Sequence, residues 1–270
     1  MSAILFDLDG VIYVGNSPIP GARDALDWVN EKGIPHRFVT NTTSRPRAAV
    51  GDKLRGMGID LEDELILTPP VAACEWLRRQ GARRLALFTA PATRGEFAGF
   101  EALPETAEDG ADAVILGDMG EDWDFHGLNR AFRLLMAEPR PYLVALGTTR
   151  YWRAEDGLRL DTGPFVAALR EASGATPVVL GKPSAAFFDA ALDMLDSRAA
   201  ETWMIGDDIR GDVHGAQDAG LKGVLVRTGK FRPDDLRLGA LPDGVISSIA
   251  DLPAWWSATQ TTPAGGKRWG

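Results

Sequence analysis

Ile4-Leu5-Phe6-Asp7-Leu8-Asp9-Gly10-Val11 decides how this chain is read. An apolar run with the look of a buried strand stops in two carboxylates spaced i, i+2, and a glycine follows. Alternation along a strand points residues i and i+2 to the same side, so Asp7 and Asp9 can both reach one place just past the strand end. Gly10 lets the chain turn away there at low steric cost. Two carboxylates so close repel each other, and a working pair calls for a cation. Nucleophilic attack by a carboxylate on a phosphoryl group is chemistry that such a place can serve. Taken alone, the same residues also suit a turn or a helix cap.

Outward from this strand the chain alternates. Residues 3–7, 36–40, 84–89, 113–117, 142–147, 178–180, 202–205 and 223–226 read as strands. Residues 21–32, 46–56, 70–80, 125–137, 164–173, 184–195 and 215–219 read as helices, the first with Ala22, Ala25, Leu26 and Val29 on one face. This is the pattern of an α/β protein with a parallel sheet. The stretch after Trp256 is small and polar and is expected to be loose, a flexible tail over 257–270.

Three more polar clusters follow predicted strands. Thr40-Asn41 offers a hydroxyl and an amide that can donate to phosphate oxygens, although a cap or turn explains the pair equally well. Lys182 lies in Gly181-Lys182-Pro183-Ser184, where an ammonium can neutralise a phosphoryl oxygen or simply face solvent. The spacing of a P-loop is absent. Met204-Ile205 runs into Gly206-Asp207-Asp208-Ile209-Arg210-Gly211-Asp212, a concentration of carboxylates. Oxygen donors of this kind select a hard ion, and a few carboxylates with water and phosphate are the usual way to hold Mg²⁺. Ligands of open α/β sheets sit beyond the carboxyl ends of strands, so the four clusters can converge. They lie toward the two ends of the chain, and about 70–177 has none. The expected division is therefore a catalytic core of 1–69 plus 178–256, with 70–177 inserted as a second domain.

The bulk numbers narrow the classes. The chain has 270 residues, 45% hydrophobic and 25% charged, and a formal net charge of −9. That balance argues against nucleic-acid and anionic-membrane partners. A single cysteine, Cys74, excludes an intrachain disulfide and agrees with a reducing compartment. With a first strand expected from about Ala3, no secretory leader is expected, and no run approaches the roughly 18 apolar residues of a membrane span. The expectation is a cytoplasmic protein.

The four clusters, in this order and each after a strand, resemble the haloacid dehalogenase superfamily of phosphatases and phosphotransferases. The resemblance spans nearly the whole chain. It implies a Rossmann-like parallel-sheet core with an inserted α/β cap of the class II kind. Phe38-Val39-Thr40-Asn41-Thr42-Thr43, Gly181-Lys182-Pro183-Ser184 and the segment 206–215 are similar to its NagD-type branch. Within that branch, Gly157-Leu158-Arg159-Leu160-Asp161-Thr162-Gly163-Pro164-Phe165 and Val226-Arg227-Thr228-Gly229-Lys230-Phe231-Arg232-Pro233 are closest to the phospholysine phosphohistidine inorganic pyrophosphate phosphatase group. Animal members of that group often carry another residue where this chain has Asp9. The full Asp pair looks more like an ordinary phosphatase, so the group's substrate is not carried over.

The resemblance implies Asp7 as nucleophile and Asp9 as general acid and then base. It implies Mg²⁺ held by the Asp7 carboxylate, the Asp9 carbonyl and Asp207, with Asp208 and Asp212 orienting metal-bound water or Lys182. Thr40, Asn41 and Lys182 would bind the phosphoryl oxygens. The expected substrate is a small phosphorylated metabolite, read by cap residues at Thr148–Tyr151 and Asp161–Gly163, and a homodimer is conceivable through an apolar cap surface. His36, His126 and His214 receive no role. The rivals are a phosphotransferase or mutase on the same core and a non-catalytic Mg²⁺- or phosphate-binding protein. A nucleophile and an acid together argue against the second.

Overall fold

In a computed structural model, which describes residues 2–154, 156–237 and 241–261, the chain folds into two compact units. Among the described residues one unit takes those within 2–38, 53–61 and 195–261, and the other takes those within 39–52 and 62–194.

The first unit is built on the strand Ala3–Asp7, buried at every position. Such a strand is covered on both faces, which is why its sequence is a continuous apolar run rather than an alternation. It pairs in parallel with Thr202–Gly206, in the register Ala3 to Thr202 through Phe6 to Ile205. Lys222–Val226 and then Gly244–Ile246 continue the sheet in parallel on that side, and His36–Val39 lies on the other side of Ala3–Asp7. Phe6 and Phe38 are fully buried and stack with centroids 5.7 Å apart, and His36 meets both edge-on. Burying one such ring stabilises the fold by about 1.5–3 kcal/mol.

The second unit has its own sheet, in the order Pro177–Val179, Tyr142–Ala145, Ala113–Leu116, Arg84–Phe88, Glu101–Ala102, with every neighbouring pair parallel. Its helix Phe125–Leu135 starts at Asp124, whose carboxylate accepts from the Gly127 N–H at 2.7 Å. Trp123 is stacked between Phe88 and Phe165, at 5.9 and 4.5 Å.

Several elements depart from the sequence expectation, among them the short strand Glu101–Ala102. Lys222–Val226 is followed by a further strand, Gly244–Ile246, too short and too polar in its surroundings for a periodicity signal. The helix Leu252–Thr261, preceded by a Ser248/Asp251 capping box, makes residues 257–261 helical rather than loose. Trp255 and Trp256 anchor it against Trp203 at 5.1 and 6.1 Å, and this contact outweighs the weak local propensity of a Ser/Thr-rich segment. The rest of the expected tail, 262–270, lies outside the described residues. Finally, Tyr151–Ala154 and Gly157–Leu160 form an antiparallel hairpin in a stretch that was not among the expected strands. Among the described residues no helix is long and apolar enough to cross a membrane.

Candidate active site

Parallel register carries Asp7 to the carboxyl end of the sheet, level with Gly206, so Asp7 and Asp207 leave neighbouring strands at the same end. There Asp7, Asp207 and Asp212 converge, with one carboxylate oxygen from each lying within 4.8 Å of the others. All three are buried. Three buried carboxylates held this close stay ionised together only if a cation compensates them. An all-oxygen donor set of this kind fits Mg²⁺. Asp212, expected only to orient its neighbours, thus stands among the possible ligands, while the Asp9 side chain is exposed and outside the group.

The backbone around the group is closely fitted. Gly10 has φ +87°, and a Cβ there would stand 2.1 Å from Asp207 Oδ2. Only glycine combines that left-handed conformation with the missing side chain. Its N–H donates to Tyr13 O at 2.7 Å and closes the turn that presents Asp9. Asp212 sits in the π-helical turn Ile209–His214, a widened form that recurs at functional sites. Asp208 caps that turn: its Oδ1 accepts from the Arg210 and Gly211 N–H groups at 3.0 and 2.9 Å, while its own N–H donates to Asp212 Oδ2 at 3.1 Å. Asp208 therefore holds Asp212. Partial burial pushes its carboxyl upward, but these N–H groups and Lys230 outweigh that and hold it below the usual aspartate value.

Sequence reasoning missed Lys230. Its N–H donates to Asp207 Oδ2 at 2.6 Å, and its Nζ lies 3.5 Å from Asp208 Oδ2. The side chain is largely exposed, and the partial desolvation that opposes its charge is outweighed by Asp208, Asp207, Asp212 and Asp7, which together raise its ammonium above the ordinary lysine value. The stretch 226–233 stood out only as part of the family resemblance, and nothing local marks this lysine.

Thr40, Asn41 and Lys182 belong to the second unit. Asn41 turns both polar atoms of its amide to the main chain of Lys182: Nδ2 donates to Lys182 O at 2.9 Å, and Oδ1 accepts from Lys182 N–H at 2.8 Å. The amide expected to donate to phosphate thus holds the lysine. Thr40 is buried, its N–H donates to Leu67 O at 3.1 Å, and its Oγ1 is 3.0 Å from Thr42 Oγ1. A cavity of about 240 Å³ in this unit is lined by Asn41, Thr148, Thr149, Asp161, Thr162 and Lys182. It gathers part of the two stretches expected to read the substrate. Asp161 also caps the helix Thr162–Ser173, accepting from the Thr162 N–H at 2.6 Å, and Tyr151 is exposed on the hairpin.

Comparison with known proteins now adds to this geometry. The family model of haloacid dehalogenase-like hydrolases matches residues 4–101, and a HAD-hydrolase-like model matches 179–252. Human phospholysine phosphohistidine inorganic pyrophosphate phosphatase is 36% identical over 253 residues, 92% of this chain and 91% of that one. The chain belongs to the haloacid dehalogenase-like hydrolase family. Among solved structures, NagD from E. coli K-12 superposes with a TM-score of 0.82 at 26% identity, over 93% of this chain and 98% of its own. The 4-nitrophenylphosphatase from Thermotoga maritima does so with 0.82 at 27%, over 94% and 97%. The chain is an enzyme that groups with the phosphatases of its family, and its α/β architecture is theirs.

Proposed function

We propose that this protein is a Mg²⁺-dependent phosphatase of small phosphorylated metabolites that works through an aspartyl-phosphate on Asp7. The observation that carries the reading is the buried convergence of Asp7, Asp207 and Asp212 beside an exposed Asp9. An Asp7 oxygen attacks phosphorus, the bond from phosphorus to the leaving oxygen breaks, and Asp9 gives that oxygen its proton. Water then attacks the aspartyl-phosphate, Asp9 takes its proton, and inorganic phosphate leaves with Asp7 restored. One carboxyl acting as acid and then base is ordinary general catalysis. Asp7, Asp207 and Asp212 would hold Mg²⁺, which when bound compensates charge on the phosphoryl oxygens, with the Asp9 carbonyl as a further donor. Thr40 and Lys182 bind those oxygens, where charge compensation supplies most of the rate. Asn41 positions Lys182.

Residues 70–177 are the inserted cap and 1–69 plus 178–256 the core in this proposal, a division supported by the separate parallel sheet, four of whose five strands lie within 70–177 while Pro177–Val179 straddles the boundary. The polar lining of the cavity at Thr148, Thr149 and Asp161 suits a small hydrophilic leaving group. The relatives' names place phosphoamidates, pyrophosphate and 4-nitrophenyl phosphate on the list to be tried. The single cysteine supports a cytoplasmic setting, and the exposed Tyr151, Trp152, Leu158 and Leu160 support a homodimer, which sedimentation would test.

The deciding experiment measures phosphate release from a panel of phosphorylated metabolites with and without Mg²⁺, for the wild type and Asp7→Asn. Mg²⁺-dependent release that disappears in the variant is expected. Release that persists in Asp7→Asn would end the covalent mechanism, and turnover only with an added acceptor would make the enzyme a phosphotransferase.

A further inference from the structure

The loop after the strand Lys222–Val226 meets the carboxylate site with three consecutive residues. Thr228 Oγ1 donates to Gly10 O, a partner 218 positions away in sequence. Gly229 has φ +65°, and a Cβ on it would stand 2.1 Å from Asp207 Oδ2 and 2.5 Å from Gly10 Cα. Lys230 donates its N–H to Asp207 Oδ2 at 2.6 Å and places Nζ 3.5 Å from Asp208 Oδ2. One short segment thus grips the turn behind Asp9, one oxygen of Asp207, and the residue that caps the turn bearing Asp212.

We propose that Thr228-Gly229-Lys230 is a positioning clasp, which sets the Asp207 carboxylate and the Asp9-Gly10 turn in the arrangement that takes up the divalent cation. The inference rests on reading Asp7, Asp207 and Asp212 as the cation site. Like charges gathered before the cation arrives push one another into other rotamers, and something must hold them. A main-chain N–H on a carboxylate is a short, charge-assisted bond that has no side-chain entropy to lose. The close approach that makes it requires a glycine at 229 for the same reason as at 10. The Lys230 side chain is 66% exposed, so water screens its ammonium and the main-chain contact is the larger part of the clasp. None of the three residues needs to touch substrate.

The test is Mn²⁺ binding, followed by electron paramagnetic resonance, to wild type, Asp207→Asn, Gly229→Ala, Thr228→Val and Lys230→Met, with circular dichroism to verify folding. Gly229→Ala should weaken Mn²⁺ binding at least about tenfold, the loss usual when a residue behind a metal ligand is disturbed. Its activity should return in part at high Mg²⁺, which general damage to the fold would not allow. Lys230→Met should change affinity by no more than about fivefold, as an exposed ion pair does. A folded Gly229→Ala that binds Mn²⁺ as the wild type does overturns the clasp while leaving the cation site standing. Should Gly229→Ala fail to fold, Thr228→Val decides: weakened Mn²⁺ binding supports the clasp, and wild-type affinity overturns it. Equal Mn²⁺ binding by wild type and Asp207→Asn would overturn the cation site, and the clasp with it.

Discussion

Asn41 and Lys182, 141 residues apart in sequence, form a reciprocal pair in which the side-chain amide of one replaces a backbone partner for the other. Both arms are of ordinary hydrogen-bond length, 2.9 and 2.8 Å. The pair fixes the main chain of Lys182, so the ammonium starts from a set position. If Lys182 binds the phosphoryl group as proposed, Asn41→Ala should lower kcat/KM by about 10- to 100-fold, the penalty for a misplaced charge-binding group. Asn41→Asp keeps the acceptor and loses the donor, and should fall between. Steady-state kinetics on the best substrate of the panel checks both, and wild-type kcat/KM in Asn41→Ala would remove the positioning role.

Asp7, which ends the first strand, and Asp9, just past it, should separate kinetically. On the proposed mechanism, Asp7→Asn removes the nucleophile and should abolish turnover. Asp9→Asn keeps it and loses the proposed proton carrier, which should cost about 10²- to 10⁴-fold. Intact-protein mass spectrometry after rapid quenching should find a phosphoryl group on Asp9→Asn and none on Asp7→Asn.

His36 gives the fold a dependence on pH. Burial against Phe6 and Phe38 pushes its pKa below the ordinary 6.5, with Arg37 adding to this and the hydrogen bond to Ile34 O opposing it. The unfolded chain therefore binds the proton more readily than the folded one. Stability from this residue is complete above pH 6.5 and declines as pH falls through that value toward the folded pKa. Urea denaturation at pH 7.5 and pH 5.5 should show a drop in midpoint for the wild type, and a smaller drop for His36→Asn.

Cys74 should be inert in the folded protein. It is buried, its Sγ donates to Glu96 O at 3.3 Å, and burial pushes the thiol up to about 12. Reactivity follows the thiolate, which is almost absent at pH 8. Iodoacetamide at that pH should modify Cys74 only after denaturant is added, and fast labelling of the native chain would contradict its placement.

Phe187 tests the packing beneath the helix Ala185–Leu195. It is fully buried and meets Phe188 edge-to-face at 6.0 Å. Phe187→Ala should cost about 3–5 kcal/mol in urea unfolding, the range for a deleted core ring. A cost below 1 kcal/mol would mean that the site collapses around the deletion.

Much of this protein was legible in the sequence because its signals are local. The apolar run ending at Asp7, the carboxylates at Asp9, Asp207 and Asp212, and the helical face of Ala22, Ala25, Leu26 and Val29 each depend on a period or on an abrupt change from apolar to charged. That was enough for the α/β class and the family. What only the tertiary structure decided depends on contacts between distant segments. Parallel register brings Asp7 level with Gly206 and so groups Asp212 with Asp7 and Asp207. The same kind of contact gives the Asn41 amide to Lys182, places Lys230 against Asp207, and makes a helix of Leu252–Thr261 by packing two tryptophans on Trp203. Composition and periodicity record which residues prefer burial or a turn. They do not record which distant oxygen a given N–H will meet, because that distance is set only when both segments are held in the folded core.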